Sequence, residues 1–181
     1  MTYLEAVVLT VGLLCLLNLL LTFGVIRRLR QHTEHLNRLA PTDQPPGIGV
    51  GEVVGEFATT TTTGEPLTRA GLTGQTLVGF FSPGCEPCAT QLPHFIDRAR
   101  EQPGGRARAI AVVAAGTDGK QDYVERLEPV ARVVTEGPDG ALQAAFRVTG
   151  FPMLYLVDDG TVRAAGFTVA DVTATGAPAA V

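Results

Sequence analysis

The segment Ser82-Pro83-Gly84-Cys85-Glu86-Pro87-Cys88 constrains this chain more than any other stretch. It stands at a junction. Thr76 to Ser82 is a short apolar run, as expected of a strand buried on both faces. Pro83-Gly84 breaks the run, and a helical pattern follows from about Cys85 to Glu101. Two cysteines one helical turn apart can bring their sulfurs to disulfide distance. The first, at a helix N-terminus, meets unpaired N–H groups and a dipole that favour a thiolate. Cys85 is therefore the natural attacking thiol. Cys88, one turn inside and less exposed, is the resolving thiol.

Two other chemistries use such cysteines. A zinc site needs a second pair of ligands. Beyond Cys85 and Cys88 the chain after the linker has no cysteine, and its one histidine is His94. A peroxidatic cysteine wants Pro-x-x-x-Thr/Ser-x-x-Cys; Ser82 fits, but position 78 is Val. The strand–helix setting favours a redox pair.

The rest of the chain is read around that junction. Phe57 to Thr63 is Thr-rich and β-prone, and Gly64-Glu65 turns it toward Leu67-Thr68. Ala107–Ala115 and Val130–Thr135 read as further strands, Gly119–Glu128 and Asp139–Arg147 as helices. Met153–Val157 and Thr161–Ala165 form a pair joined at Asp158-Asp159-Gly160, a hairpin signal. Strands alternating with helices predict an α/β sandwich closed by an antiparallel hairpin. Pro93 falls inside the predicted active-site helix and should kink it. Pro152, in Gly150-Phe151-Pro152-Met153, precedes a strand; it reads as a strand-start residue or as a cis-proline loop packed on the cysteines, and the cysteine pair favours the second.

The C-E-P-C pair, Pro93 and the stretch T-G-F-P-M-L-Y-L-V together resemble the thioredoxin-like superfamily. The Thr-rich hairpin before the first core strand, and the extra strand and helix between Cys88 and Pro152, look like its TlpA-type branch. G-F-F-S-P-G-C-E-P-C looks most like the MauD-type members, linked to maturation of methylamine dehydrogenase. The resemblance covers about Val53 to Gly166. It implies a three-layer sandwich with a central mixed β-sheet. It also implies that Cys85 attacks a client disulfide, Cys88 resolves it, and Pro152 shapes a groove where the Phe151 backbone pairs with an extended client segment. No cofactor beyond the Cys85–Cys88 redox disulfide is implied. Electrons would come from a membrane or thioredoxin-type donor.

The sequence also departs from that pattern. Gly84 stands where thioredoxins carry an aromatic side chain, and Gly79 where they often carry a buried acid that helps the second cysteine lose its proton. Glu86 is the carboxylate beside the pair and could partly substitute. Gly176 and Pro178 leave room for only a turn or two of the last helix.

Ahead of all this, Ala6 to Ile26 carries no formal charge. As a helix it spans about 31 Å, enough for a hydrocarbon core of about 30 Å. The N-terminus has no basic n-region, and arginines stand where a signal cleavage site would be, so a retained single-pass anchor in the lipid bilayer is expected. Cys15 within it reads as apolar filler. His32 and His35 read as a solvated face of a continuing helix. Three prolines and three glycines in Ala40–Glu52 mark a linker. Gly47, Gly49 and Gly51 complete no phosphate loop, since Glu52 and Val54 stand where the last glycine would be. The expected division is an anchor with its juxtamembrane helix at 1–39, a linker at 40–52 and a thioredoxin-like domain at 53–181.

Arg27, Arg28, Arg30 and Arg38 flank the span, which by the positive-inside rule places the domain in the cytoplasm. The resemblance implies an extracytoplasmic domain. Lys and Arg number 14 against 18 Asp and Glu, a net charge of −4, which argues against nucleic acid as a partner. The reading is a membrane-anchored thiol–disulfide oxidoreductase acting on client protein disulfides. A binding or chaperone-like module that uses the groove without its thiols, and a thiol peroxidase, are the alternatives.

Overall fold

The computed structural model describes residues 47–114, 116 and 119–174, with residues 2, 3, 5, 7–9 and 11–16 near the N-terminus. The chain divides into two compact units, Met1–Asp43 and Gln44–Val181. In the first, the described residues are helical. Most of Ala6–Ile26, with His32 and His35, lies outside the described residues. Among those described, no helix is long and apolar enough to cross a membrane.

The second unit is built on a five-stranded sheet. Its strands are β3 (Gln75–Phe81), β4 (Ala109–Ala114), β5 (Arg132–Glu136), β6 (Met153–Asp158) and β7 (Thr161–Gly166), after a small hairpin of β1 (Ala58–Thr60) and β2 (Pro66–Thr68). The sheet order is β5-β4-β3-β6-β7. Strands β3, β4 and β5 run parallel, while β6 and β7 run antiparallel, so the sheet is mixed. The helices are α1 (Glu86–Arg100), α2 (Lys120–Leu127), α3 (Ala141–Ala145) and α4 (Val169–Ala174).

The central strand β3 is apolar on both faces because both are covered. Leu77 and Phe81 join a core with Leu92, Phe95 and Ile96 of α1 and Tyr123, Val124 and Leu127 of α2. Val78 and Phe80 join the opposite core with Phe57 and Leu67 of the hairpin segment and Leu142 and Phe146 around α3. Alternation along one strand thus feeds two cores, and the result is the expected three-layer sandwich.

Two local differences from the sequence pattern have clear causes. The first strand ends at Thr60 rather than Thr63. Beyond it hydroxyls replace the ladder: Thr61 Oγ1 accepts from the Glu65 amide at 2.9 Å and pairs with Thr63 Oγ1 at 3.0 Å. Second, the stretch read as the end of a linker belongs to the fold. Ile48 is fully buried, its amide donates to Phe146 O at 3.0 Å, and Gly51 and Glu52 exchange hydrogen bonds with Val162 of β7. A side chain at Gly47 would run into the Tyr155 hydroxyl, which explains a glycine there. The ordered region therefore begins before Val53. At the hairpin between β6 and β7, Asp159 and Gly160 both take positive φ, 48° and 76°, as a two-residue primed turn requires.

Candidate active site

Strand β3 brings the chain to the site, and the turn after it sets the first thiol. The Cys85 amide donates to Ser82 O at 3.2 Å. Gly84 sits at φ 80°, a left-handed conformation that a residue with a side chain takes only under strain. Cys85 is then the N-cap of α1, with extended backbone at φ −87° and ψ 114°. Glu86 and Pro87 open the helix. Proline costs little there, because first-turn amides have no intrahelical acceptor to lose.

The two thiols occupy different environments. Cys85 is half-buried, and its thiol donates to the Phe151 carbonyl at 3.7 Å. Cys88 is fully buried, and its Sγ accepts the Ser82 N–H at 3.5 Å. Both are reduced in this structure. Burial, and after it the hydrogen bond to Cys85, push the Cys88 thiol up to about 12; the Ser82 amide works the other way. The half-buried Cys85 is the more accessible of the two, while burial keeps the Cys88 thiol protonated.

The 150–152 loop completes the site. The Phe151–Pro152 peptide is cis, as the sequence pattern favoured. Pro152 is buried and Phe151 partly exposed, its carbonyl beside Cys85. The other two residues singled out are exposed on the helix that begins at the pair. Glu86 is exposed at the start of α1. Pro93 is exposed inside α1, and the helix runs past it to Arg100. It leaves Ala89 O without its usual helical donor.

Gly79 explains the missing acid. A Cβ there would lie 2.7 Å from Phe81 Cε2 and 2.7 Å from Phe95 Cε2. These rings meet edge to face, with centroids 5.2 Å apart at 72°. The space a side chain at position 79 would occupy is filled by aromatic carbon. The sequence marks the absent acid but not the ring pair that replaces it, because Phe95 is remote in sequence and reaches β3 only through packing. Among the described residues, no three or more His, Cys, Asp or Glu side chains gather as a metal site would require.

The sequence profile of the AhpC/TSA family matches residues 50–165, more than half of the chain. The chain belongs to the AhpC/TSA family. No curated protein sequence matches it. Among solved structures, this AhpC/TSA chain is similar to the thioredoxin domain of a thiol-disulfide oxidoreductase from Bacteroides vulgatus. That match has a TM-score of 0.57 at 18% identity, covering 71% of this chain and 95% of that one. It is also similar to a thiol:disulfide interchange protein from Chlorobium tepidum, with a TM-score of 0.51 at 21% identity, covering 69% and 88%. A secreted disulfide oxidoreductase from Mycobacterium tuberculosis matches with a TM-score of 0.50 at 19% identity, covering 66% and 88%. These likenesses show a thioredoxin-like fold. Family membership, with two thiols at the strand–helix joint, makes the AhpC/TSA chain a thioredoxin-like oxidoreductase.

Proposed function

We propose that this chain is a membrane-anchored enzyme that reduces or isomerises disulfides of client proteins through Cys85 and Cys88. One observation carries the reading. The Cys85 thiol is accessible and faces the Phe151 carbonyl, while Cys88 is buried one turn behind it. That is the arrangement an attacking and a resolving thiol need.

The steps follow from it. Cys85 thiolate attacks a client disulfide; one client sulfur leaves as a thiolate, and a mixed disulfide forms. The Phe151 backbone at the cis-Pro loop offers a partner to an extended client segment. Cys88, once deprotonated, attacks Cys85 Sγ and expels the second client sulfur. The client gains two electrons, and the enzyme holds a Cys85–Cys88 disulfide. A membrane or thioredoxin-type donor then restores the dithiol. Two of the similar solved structures are named as a thiol:disulfide interchange protein and a disulfide oxidoreductase, which supports this chemistry. A peroxidatic role is less supported, since Val78 stands where that pattern wants a proline and is buried within β3.

The finer assignment is a TlpA-type protein of MauD-like character, anchored by Ala6–Ile26, with its catalytic domain outside the cytoplasm. The test is turnover of insulin disulfides by the full chain, with dithiothreitol as electron donor. Wild type should be active and Cys85→Ser inactive; normal turnover by Cys85→Ser overturns the reading. Alkaline phosphatase fused at the C-terminus should be active in cells. A silent phosphatase beside a bright cytoplasmic fluorophore fusion would place the domain on the other side.

A further inference from the structure

The outer face of α1 borders a second concave place, away from the thiols. A cavity of about 520 Å³ lies between this face and α4. Small-molecule sites occupy about 300–1,000 Å³, so the volume suits one. Gln91, His94, Arg98 and Glu101 line the α1 wall. Their spacing of three, four and three residues sets them on one stripe of the helix.

The α4 wall has little polarity to offer a ligand. Val169 and Ala170 present carbon there. The Thr173 hydroxyl donates to its own helix, to Val169 O at 3.0 Å and Ala170 O at 3.2 Å. Thr168 Oγ1 accepts the Asp171 amide at 3.3 Å, and the Phe167 and Thr168 amides donate to Asp171 Oδ2 at 3.1 Å and 2.9 Å. The Val169 amide donates to Gln91 Oε1 at 3.2 Å, which ties the two walls together.

The α1 wall is different. The end of this helix carries two pairs of opposite charge at the same i, i+3 spacing. Asp97 and Arg100 join at 2.8 Å. Arg98 and Glu101, which both line the cavity, do not join. Among the described residues neither side chain makes a hydrogen bond or an ion pair, and the His94 ring makes none either. Arg98 is half-buried, so its unmatched guanidinium is partly removed from water. Glu101 is the C-cap of α1, where the helix dipole also favours a positive charge. One end of the stripe thus suits an anion, the other a cation, and carbon lies opposite both.

We propose that this cavity binds a zwitterionic α-amino acid with an apolar side chain. Its carboxylate meets the planar fork of Arg98, which matches that group in shape and charge. Its ammonium meets Glu101, and its side chain lies against Val169 and Ala170. Side chains three residues apart on a helix start about 5–6 Å from each other, a span that one amino acid bridges with its two charges. A simple carboxylate would set its charge against Glu101. A simple amine would leave Arg98 unmatched.

Titration calorimetry of the full chain in detergent micelles tests this with three probes of one carbon skeleton. These are L-leucine, isocaproate, which lacks the ammonium, and isoamylamine, which lacks the carboxylate. Leucine should bind saturably, and each truncated probe roughly tenfold more weakly or worse, the equivalent of one charge-assisted hydrogen bond. Arg98→Gln should weaken leucine by a similar factor and Arg98→Lys by less. Glu101→Gln should weaken leucine without weakening isocaproate. Equal binding of leucine and either truncated probe by the wild-type chain overturns the proposal, whatever the substitutions do to the fold. Absence of saturable leucine binding also overturns it, as does leucine binding indifferent to both Arg98→Gln and Glu101→Gln. Disulfide turnover enters none of these readouts, so failure of the oxidoreductase reading would leave them standing.

Discussion

Replacing Gly79 by Ala should destabilise the domain by about 2–4 kcal/mol. The new Cβ would stand 2.7 Å from Phe81 Cε2, 2.7 Å from Phe95 Cε2 and 3.0 Å from Phe81 Cζ. Comfortable carbon contacts lie at about 3.5–4.0 Å, so each ring must retreat by roughly half an ångström or more. Neither has room: both rings are fully buried. Overpacking of this kind costs about 1–3 kcal/mol, and separating the edge-to-face pair removes roughly 1 kcal/mol more. Urea unfolding of the reduced domain is the assay, with the midpoint lowered at unchanged slope. A second change makes the reasoning specific. Phe95→Leu opens space beside the new methyl, so Gly79→Ala should cost much less in that background, with a coupling of about 1 kcal/mol or more. A wild-type midpoint in Gly79→Ala, or additive behaviour in the double variant, would refute the claim that the ring pair occupies the acid position.

Further outcomes follow from the same structure. An unfolded cysteine ionises near pH 8.5, but buried Cys88 holds its proton to about 12. Above pH 8.5 the native reduced domain therefore binds more protons than the unfolded chain, and stability falls as pH rises, by at most about 1.4 kcal/mol per unit. Unfolding midpoints from pH 8 to 10 should decline more steeply for wild type than for Cys88→Ala; parallel curves would contradict it. At the far end of β5, buried Glu136 accepts the Leu142 and Gln143 amides at 2.8 Å and 3.1 Å. Glu136→Ala should cost about 2–3 kcal/mol and speed amide exchange at both positions, while Glu136→Gln should cost less. Arg106 ties the Thr-rich hairpin to the body through Glu65 at 2.8 Å and Glu128 O at 2.9 Å. Arg106→Ala should cost about 1 kcal/mol in thermal unfolding, because these partners are partly exposed.

Much of this fold is legible in the sequence wherever a local rule acts alone. Apolar runs of strand length gave β3 and β4, and the Asp158-Asp159-Gly160 turn signal gave the hairpin of β6 and β7. The site was legible through spacing: Cys85 and Cys88 fix one helical turn, and Pro152 fixes the loop that faces them. What stayed hidden depends on packing between remote segments. Ile48 lies in a Gly- and Pro-rich stretch that reads as a linker, yet it fills a gap beside Phe146. Tyr123 sits in a polar helical turn, yet its ring joins the core that holds Cys88. A lone aromatic at the buried position of an otherwise charged turn was the signal available. Thr61 and Thr63 show the opposite failure. High strand propensity gave way to hydroxyl bonds within a turn.

The central claim is that Cys85 attacks and Cys88 resolves. It is tested most directly by trapping with a protein disulfide, followed by peptide mapping of the captured species. Cys88→Ser should hold the client in a mixed disulfide at Cys85. Wild type should release it and retain a Cys85–Cys88 disulfide, and Cys85→Ser should capture nothing. Capture through Cys88 in the Cys85→Ser variant, or equal client retention with both cysteines replaced, would contradict the account.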